Sequence, residues 1–558
     1  MNKQTAVIAF IALSLMVLMP GQARVTDLSP TVSQPSPPSD SSSGKHPKLE
    51  SGLWRLARVE QTSGAKAALD EAARLHIPVN LDDTLRIVIE TPGQGSAVMA
   101  PMVIQAMSQY IASLGGRVET THGRLIQASV PVSALQALAD SQLARFVRRP
   151  LRPQLHTVSE GVAQTGAADW VGQPSFHGGG SQTKVAILDL GFQGYQSLLG
   201  NELPSSVTTR SFRWDGDIEA GQEHGAACAE IVHDMAPDVS LYLVNFDTDV
   251  EQHNAVDWLI QQGVQVVSYS IGWTNAGAGD GTGPIDADVE NAYANGLAWA
   301  GSAGNAATDH YEGVFSDPDS DGWHNFSGTD ELLEFTVPAY ETVGAFLNWD
   351  DWGTWTGSDY TGSHQDYDLY LYQWTGSSWV PANISSNPQT GDQWPTEETY
   401  GDYASTTRAW AIAIRRISTT RNCNLEVFIW GNSSAIEHNV PWGSLNVPSD
   451  SPYGYTAGAV DWSDDSYHYY SSRGPTHDGR IKPDFACPSG VSSRTYGTMS
   501  FYGTSASAPH LAGAFGLILS RTPYTRDEIL SMLQLRAVDL GTAGKDNMYG
   551  WGRLNLKK

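Results

Sequence analysis

Between residues 184 and 305 the chain carries four continuous apolar runs: "KVAILDLG" (184–191), "SLYLVNF" (240–246), "VQVVSYSIG" (264–272) and "GLAWAGSAGN" (296–305). None alternates apolar with polar, so each predicts a strand buried on both faces. Helical patterns at 222–235, 252–262 and 286–295 separate them. Strands alternating with helices predict a parallel sheet covered by helices on both sides, with ligand sites at the carboxyl ends of the strands. Polar residues stand at those ends: Asp189 after "VAIL" and Asn305 after "AWAGSAG".

The pattern differs on either side of this region. Residues 49–150 alternate strand-like "LRIVIE" (85–90), "GRLIQASVP" (123–131) and "ARFVRRP" (144–150) with helical 97–114 and 132–140. That order predicts a small α/β sandwich. Residues 325–435 hold short β runs, among them "LLEFTVPA", "YDLYLYQW" and "WAIAIRRIS", with turn residues between them and no convincing helix. They predict an all-β sandwich. The α/β texture resumes at "GYTAGAVDW" (454–462), so the β unit is an insertion between 151–324 and 436–558.

Charge and composition narrow the function. The net charge is −27 and no lysine lies between Lys184 and Lys482, which argues against nucleic acid as a partner. The N-terminus, "MNKQTAVIAFIALSLMVLMPGQARV", has a basic start, an apolar stretch from Ala6 to Met19 and a small-residue cleavage site, and reads as a secretory signal at 1–23. A Pro/Ser-rich linker follows at 24–48. No other apolar run approaches membrane-spanning length, so no membrane association is expected after signal cleavage. The three cysteines, Cys228, Cys423 and Cys487, leave at least one unpaired within the chain, and neither a zinc-type Cys/His spacing nor HExxH occurs.

Three residues point to nucleophilic catalysis. Asp189 ends a buried strand, His224 lies in "QEHGAACAEIVHDMAP", and Ser505 lies in "FYGTSASAPH" before the apolar run 511–519. Ser505 therefore opens a helix, where free N–H groups and the dipole favour a developing negative charge. A serine hydroxyl needs a base to take its proton, and the base needs a carboxylate to fix its tautomer. The flanking motifs, "VAILDLGF", "EHGAACAEI", "AGSAGNAA" and "YGTSASAPHLAG", together with "YYSSRGPTHDGRIKPDFACPSG" (469–490) and "YGWGRLNL" (549–556), resemble those of the subtilisin-like serine peptidases, the subtilases. The resemblance covers roughly 160–320 and 436–557.

The resemblance implies an α/β fold: a subtilisin-like parallel sheet with helices on both faces, an N-terminal ferredoxin-like propeptide (49–150) and the inserted β sandwich. It implies a secreted serine endopeptidase, extracellular or periplasmic, monomeric, acting on protein or peptide substrates through an acyl-enzyme. Asp189 would orient His224, His224 would be general base and then acid, Ser505 the nucleophile, and Asn305 the side-chain oxyanion donor. Substrate would run along Ser270, Ile271 and Gly272 and opposite Ser302, Ala303 and Gly304. Trp273 departs from the family pattern, which has a small residue after the glycine. The propeptide would inhibit its own catalytic domain until cut within 148–165, and no cofactor is needed for the chemistry. Two acidic clusters suggest structural Ca2+: Asp317, Asp319 and Asp321 in "DPDSDG", which begins like an EF-hand loop but has Gly328 at position 12, and Asp366 with Asp368 in "QDYDLYLY". Eight tryptophans of the β unit, Trp349, Trp352, Trp355, Trp374, Trp379, Trp394, Trp410 and Trp430, predict core packing in preference to a binding platform. The rival readings are a catalytically inactive subtilase fold that binds through the β unit, and a sedolisin-like peptidase, which His224 and Asn305 both oppose.

Overall fold

The computed structural model describes residues 46–557 apart from 75–76, 78, 81, 93–98, 123, 150–157, 175–182, 392, 403 and 432–434. The signal at 1–23 and all but the end of the linker lie outside the described residues, as does most of 148–157. The chain forms two compact units, divided between Leu155 and His156.

The N-terminal unit contains α1 (Ser51–Ser63), α2 (Ala65–Arg74), β1 (Leu85–Glu90), α3 (Met99–Ser113), β2 (Arg117–His122), β3 (Leu125–Val130), α4 (Leu135–Asp140) and β4 (Phe146–Arg148). Its antiparallel sheet has the order β2-β3-β1-β4. From β1 onward this is the βαββαβ arrangement of a ferredoxin-like fold. Leu53, Leu56, Ala57, Ala68 and Ala72 of α1 and α2 bury against Ile87, Ile89, Met107 and Ile111, giving the unit two helices beyond the predicted set. The end of the residues assigned to the linker belongs to this unit: the Val147 N–H donates to the Lys48 carbonyl at 2.8 Å.

The second unit begins with α5 (Glu160–Thr165) and α6 (Ala168–Val171) and continues through β5 (Lys184–Asp189), β6 (Thr208–Ser211), α7 (His224–Met235), β7 (Ser240–Asn245), α8 (Asp249–Gln261), β8 (Val266–Tyr269), α9 (Pro284–Ala294) and β9 (Ala298–Ser302). The insertion supplies β10 (His310–Val314), β11 (Leu333–Val337), β12 (Gly344–Trp349), β13 (Asp366–Trp374), β14 (Trp379–Ser385), β15 (Thr396–Tyr400), β16 (Arg408–Ser418) and β17 (Asn424–Trp430). The chain closes with β18 (Tyr455–Asp461), β19 (Phe485–Ser489), β20 (Val491–Ser493), β21 (Gly497–Phe501), α10 (Thr504–Arg521) and α11 (Arg526–Arg536).

Seven parallel strands form the main sheet in the order β19-β18-β9-β8-β5-β7-β6. Its two faces explain the continuous apolar runs. In β5, Val185 and Ile187 face the core shared with α7 and α10, while Ala186 and Leu188 face the core shared with α8 and α9. Helix α10 is buried along almost its whole length. Its glycines permit this, since a methyl group at Gly513 would collide with Met235 of α7, and one at Gly516 would stand 2.9 Å from Val185.

The insertion is a sandwich of two antiparallel sheets, β10-β17-β12-β15 and β11-β16-β13-β14. Leu333, Phe335, Leu347, Tyr367, Leu369, Trp410, Ile412 and Val427 fill the space between them. Because β10 pairs with β17 (His310↔Phe428), the sandwich starts at His310, before the predicted boundary at 325. Trp349, Trp352 and Trp410 are buried, Trp355, Trp379, Trp394 and Trp430 half-buried, and Trp374 exposed. Packing thus takes up most of the tryptophan surface, as predicted.

Candidate active site

Asp189 and His224 meet because the chain turns sharply after β5. Strand β5 ends at Asp189, and Gly191 passes so close to the 220–222 backbone that a methyl group there would stand 2.8 Å from the Gln222 nitrogen. His224 then opens α7. A methyl group at Gly225 would lie 2.9 Å from Cβ of Asp189, so glycine lets the helix start directly against the strand end.

The imidazole Nδ1 of His224 lies 2.8 Å from Oδ2 and 3.0 Å from Oδ1 of Asp189. Both side chains are buried. The carboxylate fixes the tautomer with the proton on Nδ1, leaving Nε2 as the acceptor. That Nε2 is buried and has no hydrogen-bond partner among the described residues. Burial disfavours the charged ring, but the charge and hydrogen bond of Asp189 outweigh burial, and His224 titrates above its ordinary value. The Phe501 ring stands edge-on to the imidazole at 5.9 Å.

Ser505 is the second residue of α10, so its backbone N–H has no intrahelical acceptor. Its Oγ donates to the Ser270 carbonyl at 3.4 Å. The Ser505 carbonyl is also special. Four residues on stands Pro509, inside the helix and without an N–H. The missing helical bond is replaced by the Ser270 hydroxyl at 3.0 Å and the Cys228 thiol at 3.6 Å. Cys228 lies one turn after His224, and burial together with the Asp189 charge pushes its thiol well above the ordinary range. It is a neutral donor here, and all three cysteines are unpaired and buried.

Asn305 follows β9. Its Oδ1 accepts from the Thr504 N–H at 2.9 Å and the Thr504 hydroxyl at 3.1 Å. The bond from the Thr504 N–H requires oxygen at that position, so the amide Nδ2 is the end left to donate. Thr504 is held in turn by the Gly304 N–H, which donates to its hydroxyl at 3.2 Å.

Ser270, Ile271 and Gly272 leave the sheet after β8, and Ser302, Ala303 and Gly304 at and after the end of its neighbour β9. Asn446 stands between the two segments, a position that its sequence context did not signal. A methyl group at Gly272 would come 2.7 Å from Cβ of Asn446, and one at Gly304 would collide with its Oδ1. Trp273 does not obstruct this space. Its indole N–H donates to Tyr269 at 2.8 Å and to Gln252 at 3.3 Å, and its ring stacks on Phe246.

The acidic clusters are differently placed. Ligand atoms of Asp317, Asp319 and Asp321 lie within 4.8 Å of one another, but Asp317 is ion-paired with Arg416 at 2.6 Å and accepts from the Gly322 N–H. Arg416 thus holds the place where a bound cation would compensate Asp317, and this loop fits a cation poorly. Asp366 and Asp368 share one side of β13, where burial raises both carboxyls and Asp368 faces Arg415. Among the described residues no third acidic, histidine or cysteine ligand joins them.

The subtilase family profile matches residues 180–340 and 375–552, more than half of the chain. Over 63 residues the chain is 46% identical to an extracellular serine protease of Serratia marcescens, a stretch that is 11% of this chain and 6% of that protein. Over 64 residues it is 44% identical to serotype-specific antigen 1 of Mannheimia haemolytica, covering 11% of this chain and 7% of the relative. The matched segment therefore spans less than a tenth of these relatives' length. Among solved structures, the CspB protease of Clostridium perfringens covers 67% of this chain and 93% of its own at 14% identity, with a TM-score of 0.45. The subtilisin-like protease Apa1 of Pseudoalteromonas sp. AS-11 covers 72% and 96% at 14% identity, with a TM-score of 0.32. On the extent of the profile match, the chain belongs to the subtilase family.

Proposed function

We propose that the protein is a secreted serine endopeptidase that hydrolyses peptide bonds through Asp189, His224 and Ser505. The observation that carries this reading is the orientation of His224, whose Nδ1 is held by both oxygens of Asp189 while Nε2 is left as an unpartnered base. Rotation of the Ser505 hydroxyl from the Ser270 carbonyl toward Nε2 engages the base. Hydrogen bonds of this kind are often loose before substrate binds. Ser505 Oγ attacks the substrate carbonyl carbon as His224 takes its proton. The resulting oxyanion receives the Asn305 Nδ2–H and the Ser505 backbone N–H at the start of α10. His224⁺, stabilised by Asp189, returns the proton to the leaving amine. Water then repeats the sequence on the acyl-enzyme, and Ser505 regains its hydrogen.

The N-terminal unit is proposed to be a propeptide that blocks the catalytic domain until it is cut within 148–165 by Ser505 itself. Arg148 and Arg149 offer another protease an alternative cut. Export follows from the signal at 1–23. No helix among the described residues is long and apolar enough to cross a membrane. A structural calcium ion is part of this reading but takes no part in the chemistry.

The alternative, an inactive binding module of the same fold, draws on one feature: Ser505 bonds the Ser270 carbonyl and not His224. A fluorophosphonate probe decides between them. Labelling of the processed protein that disappears in Ser505→Ala, together with peptide hydrolysis, is expected of the enzyme. An unlabelled, folded protein overturns it. Expressing Ser505→Ala without other exported proteases tests processing, because self-cleavage requires the variant to keep its N-terminal unit.

A further inference from the structure

The two proposed oxyanion donors lie on separate elements, Asn305 after β9 and the Ser505 N–H at the start of α10. A third segment touches both. Residues 470–472 lie in the loop between β18 and β19. On one side of Asn305, the Gly304 carbonyl accepts from the Ser472 N–H at 2.9 Å. On the other, the Ala306 N–H donates to the Ser472 hydroxyl at 3.0 Å and the Ala307 N–H to the Tyr470 carbonyl at 3.1 Å. The residues before and after Asn305 are thus pinned to one short stretch of chain.

The Tyr470 side chain reaches the turn before α10. The residue is 5% exposed, and its hydroxyl accepts from the Gly503 N–H at 3.0 Å. That hydroxyl lies 2.9 Å from Ser489 Oγ, and the Ser489 hydroxyl donates to the Gly503 carbonyl at 3.2 Å. One placement of hydrogens satisfies all three contacts: Gly503 N–H to Tyr470, Tyr470 O–H to Ser489, and Ser489 O–H to the Gly503 carbonyl. The circuit needs a group that accepts and donates at once, which a phenol does and a phenyl ring cannot. Burial pushes the Tyr470 hydroxyl above its ordinary value, so it keeps its proton. The circuit closes on both backbone groups of Gly503, whose φ of 101° suits glycine alone. Thr504 and Ser505 follow directly, so the setting of Gly503 decides where the Ser505 N–H points.

We propose that Tyr470 is a positioning residue for peptide hydrolysis. Its carbonyl holds the segment that carries Asn305, its hydroxyl holds the turn that presents the Ser505 N–H, and together they set the spacing of the two donors. This rests on the oxyanion reading of Asn305 and Ser505. The oxyanion forms only on the way through the transition state, so a loosened donor costs kcat and leaves substrate binding unchanged. Deleting a donor costs about 10²–10³ in kcat, and displacing one costs less, so Tyr470→Phe should lose about tenfold.

Tyr470→Phe and Ser489→Ala are compared with the parent as processed proteins. Active sites are counted by labelling to completion with a fluorophosphonate, which leaves misfolded chains out of kcat. Tyr470→Phe should show the loss in kcat with KM unchanged. Its affinity for a peptide boronic acid, which forms a tetrahedral adduct on Ser505, should fall by the same factor, while affinity for the product peptide holds. Ser489→Ala breaks the circuit from its other side and should show the same pattern more weakly, which keeps the test available if Tyr470→Phe does not fold. Parental kcat and boronate affinity in either folded variant, with only a lower melting temperature, make the circuit a packing feature and overturn the proposal. So does a raised KM with unchanged kcat. An unlabelled parent, or Asn305→Ala with parental kcat, removes the oxyanion reading and the proposal with it; those results come from other proteins than Tyr470→Phe, so the two failures are told apart.

Discussion

Replacing His477 by Gln should remove a pH-dependent clamp between the sandwich and the catalytic domain. Glu426 of β17 receives three groups: Nε2 of His310 at 3.2 Å, Nε2 of His477 at 3.3 Å, and the Asn348 amide at 2.6 Å. His477 also donates through Nδ1 to the Ala278 carbonyl at 2.6 Å, so the ring finds an acceptor at each nitrogen only when doubly protonated. The Glu426 charge is the main cause, with burial opposing it and the Glu312 charge adding to it, and the imidazole is raised to about 10. Because the folded value exceeds the unfolded one, the native state holds this proton more tightly. Its stabilisation is complete below about pH 6.5 and is lost as pH rises through about 10. The full shift corresponds to about 4 kcal/mol at pH 7. The ring is 27% exposed, and halving for solvent screening leaves about 2 kcal/mol. Urea unfolding of Ser505→Ala, with and without His477→Gln, measures the difference at pH 6.5 and pH 9.5. The parent should lose about 1–2 kcal/mol more than the variant between these values. Parallel pH dependence in the two proteins would refute the clamp.

The remaining predictions concern the triad and its support. Asn305→Ala should fold normally and lose about 10²–10³ in kcat with little change in KM; near-parental kcat removes Asn305 from the oxyanion role. Activity should rise with pH as His224 loses its proton, with a midpoint above the ordinary imidazole value because of Asp189. Asp189→Asn should cost about 10⁴ in kcat and lower that midpoint; an unmoved midpoint in the pH–rate profile assigns the titration to another group. Ser270→Ala leaves the Ser505 carbonyl to the Cys228 thiol alone and should cost about 1–2 kcal/mol, read from urea unfolding in the Ser505→Ala background; a neutral effect shows that the carbonyl has another donor.

Local signals carried much of this architecture. The apolar runs predicted β5, β7, β8 and β9 because buried parallel strands need no polar face, and their carboxyl ends predicted where Asp189 and Asn305 stand. Helices α1 and α2 were not predicted, although Leu53, Leu56 and Ala57 follow helical spacing, as do Ala68 and Ala72. The boundary of the sandwich was not legible, because β10 is short and acquires its identity only by pairing with β17, whose residues lie more than a hundred positions on. The same holds for Asn446. It has an unremarkable sequence context, and its place comes from segments that meet only in the folded chain. Arg416 is the converse case: Asp317 in its acidic run suggests a cation, and a distant arginine supplies the charge.

The position of the insertion explains how so large a unit interrupts the catalytic domain without disturbing the sheet. The chain leaves after β9 and returns at β18, and these strands are neighbours, with Tyr455 opposite Ala300. Entry and exit therefore lie side by side, and closing such a loop depends only weakly on what is inserted. The entry point also adjoins the candidate site, since Ala306 directly follows Asn305. Its N–H donates to Ser472 at 3.0 Å, and Phe346 and Phe428 of the sandwich pack on its methyl group. The sandwich further reaches the loop after Trp273, where Asn275 donates to the Glu397 carbonyl at 3.1 Å. One face of the insertion thus braces both the segment that carries Asn305 and the loop after Trp273. An insertion that merely hung from the domain would have no reason to bury Glu426, His310 and Phe428 at that seam.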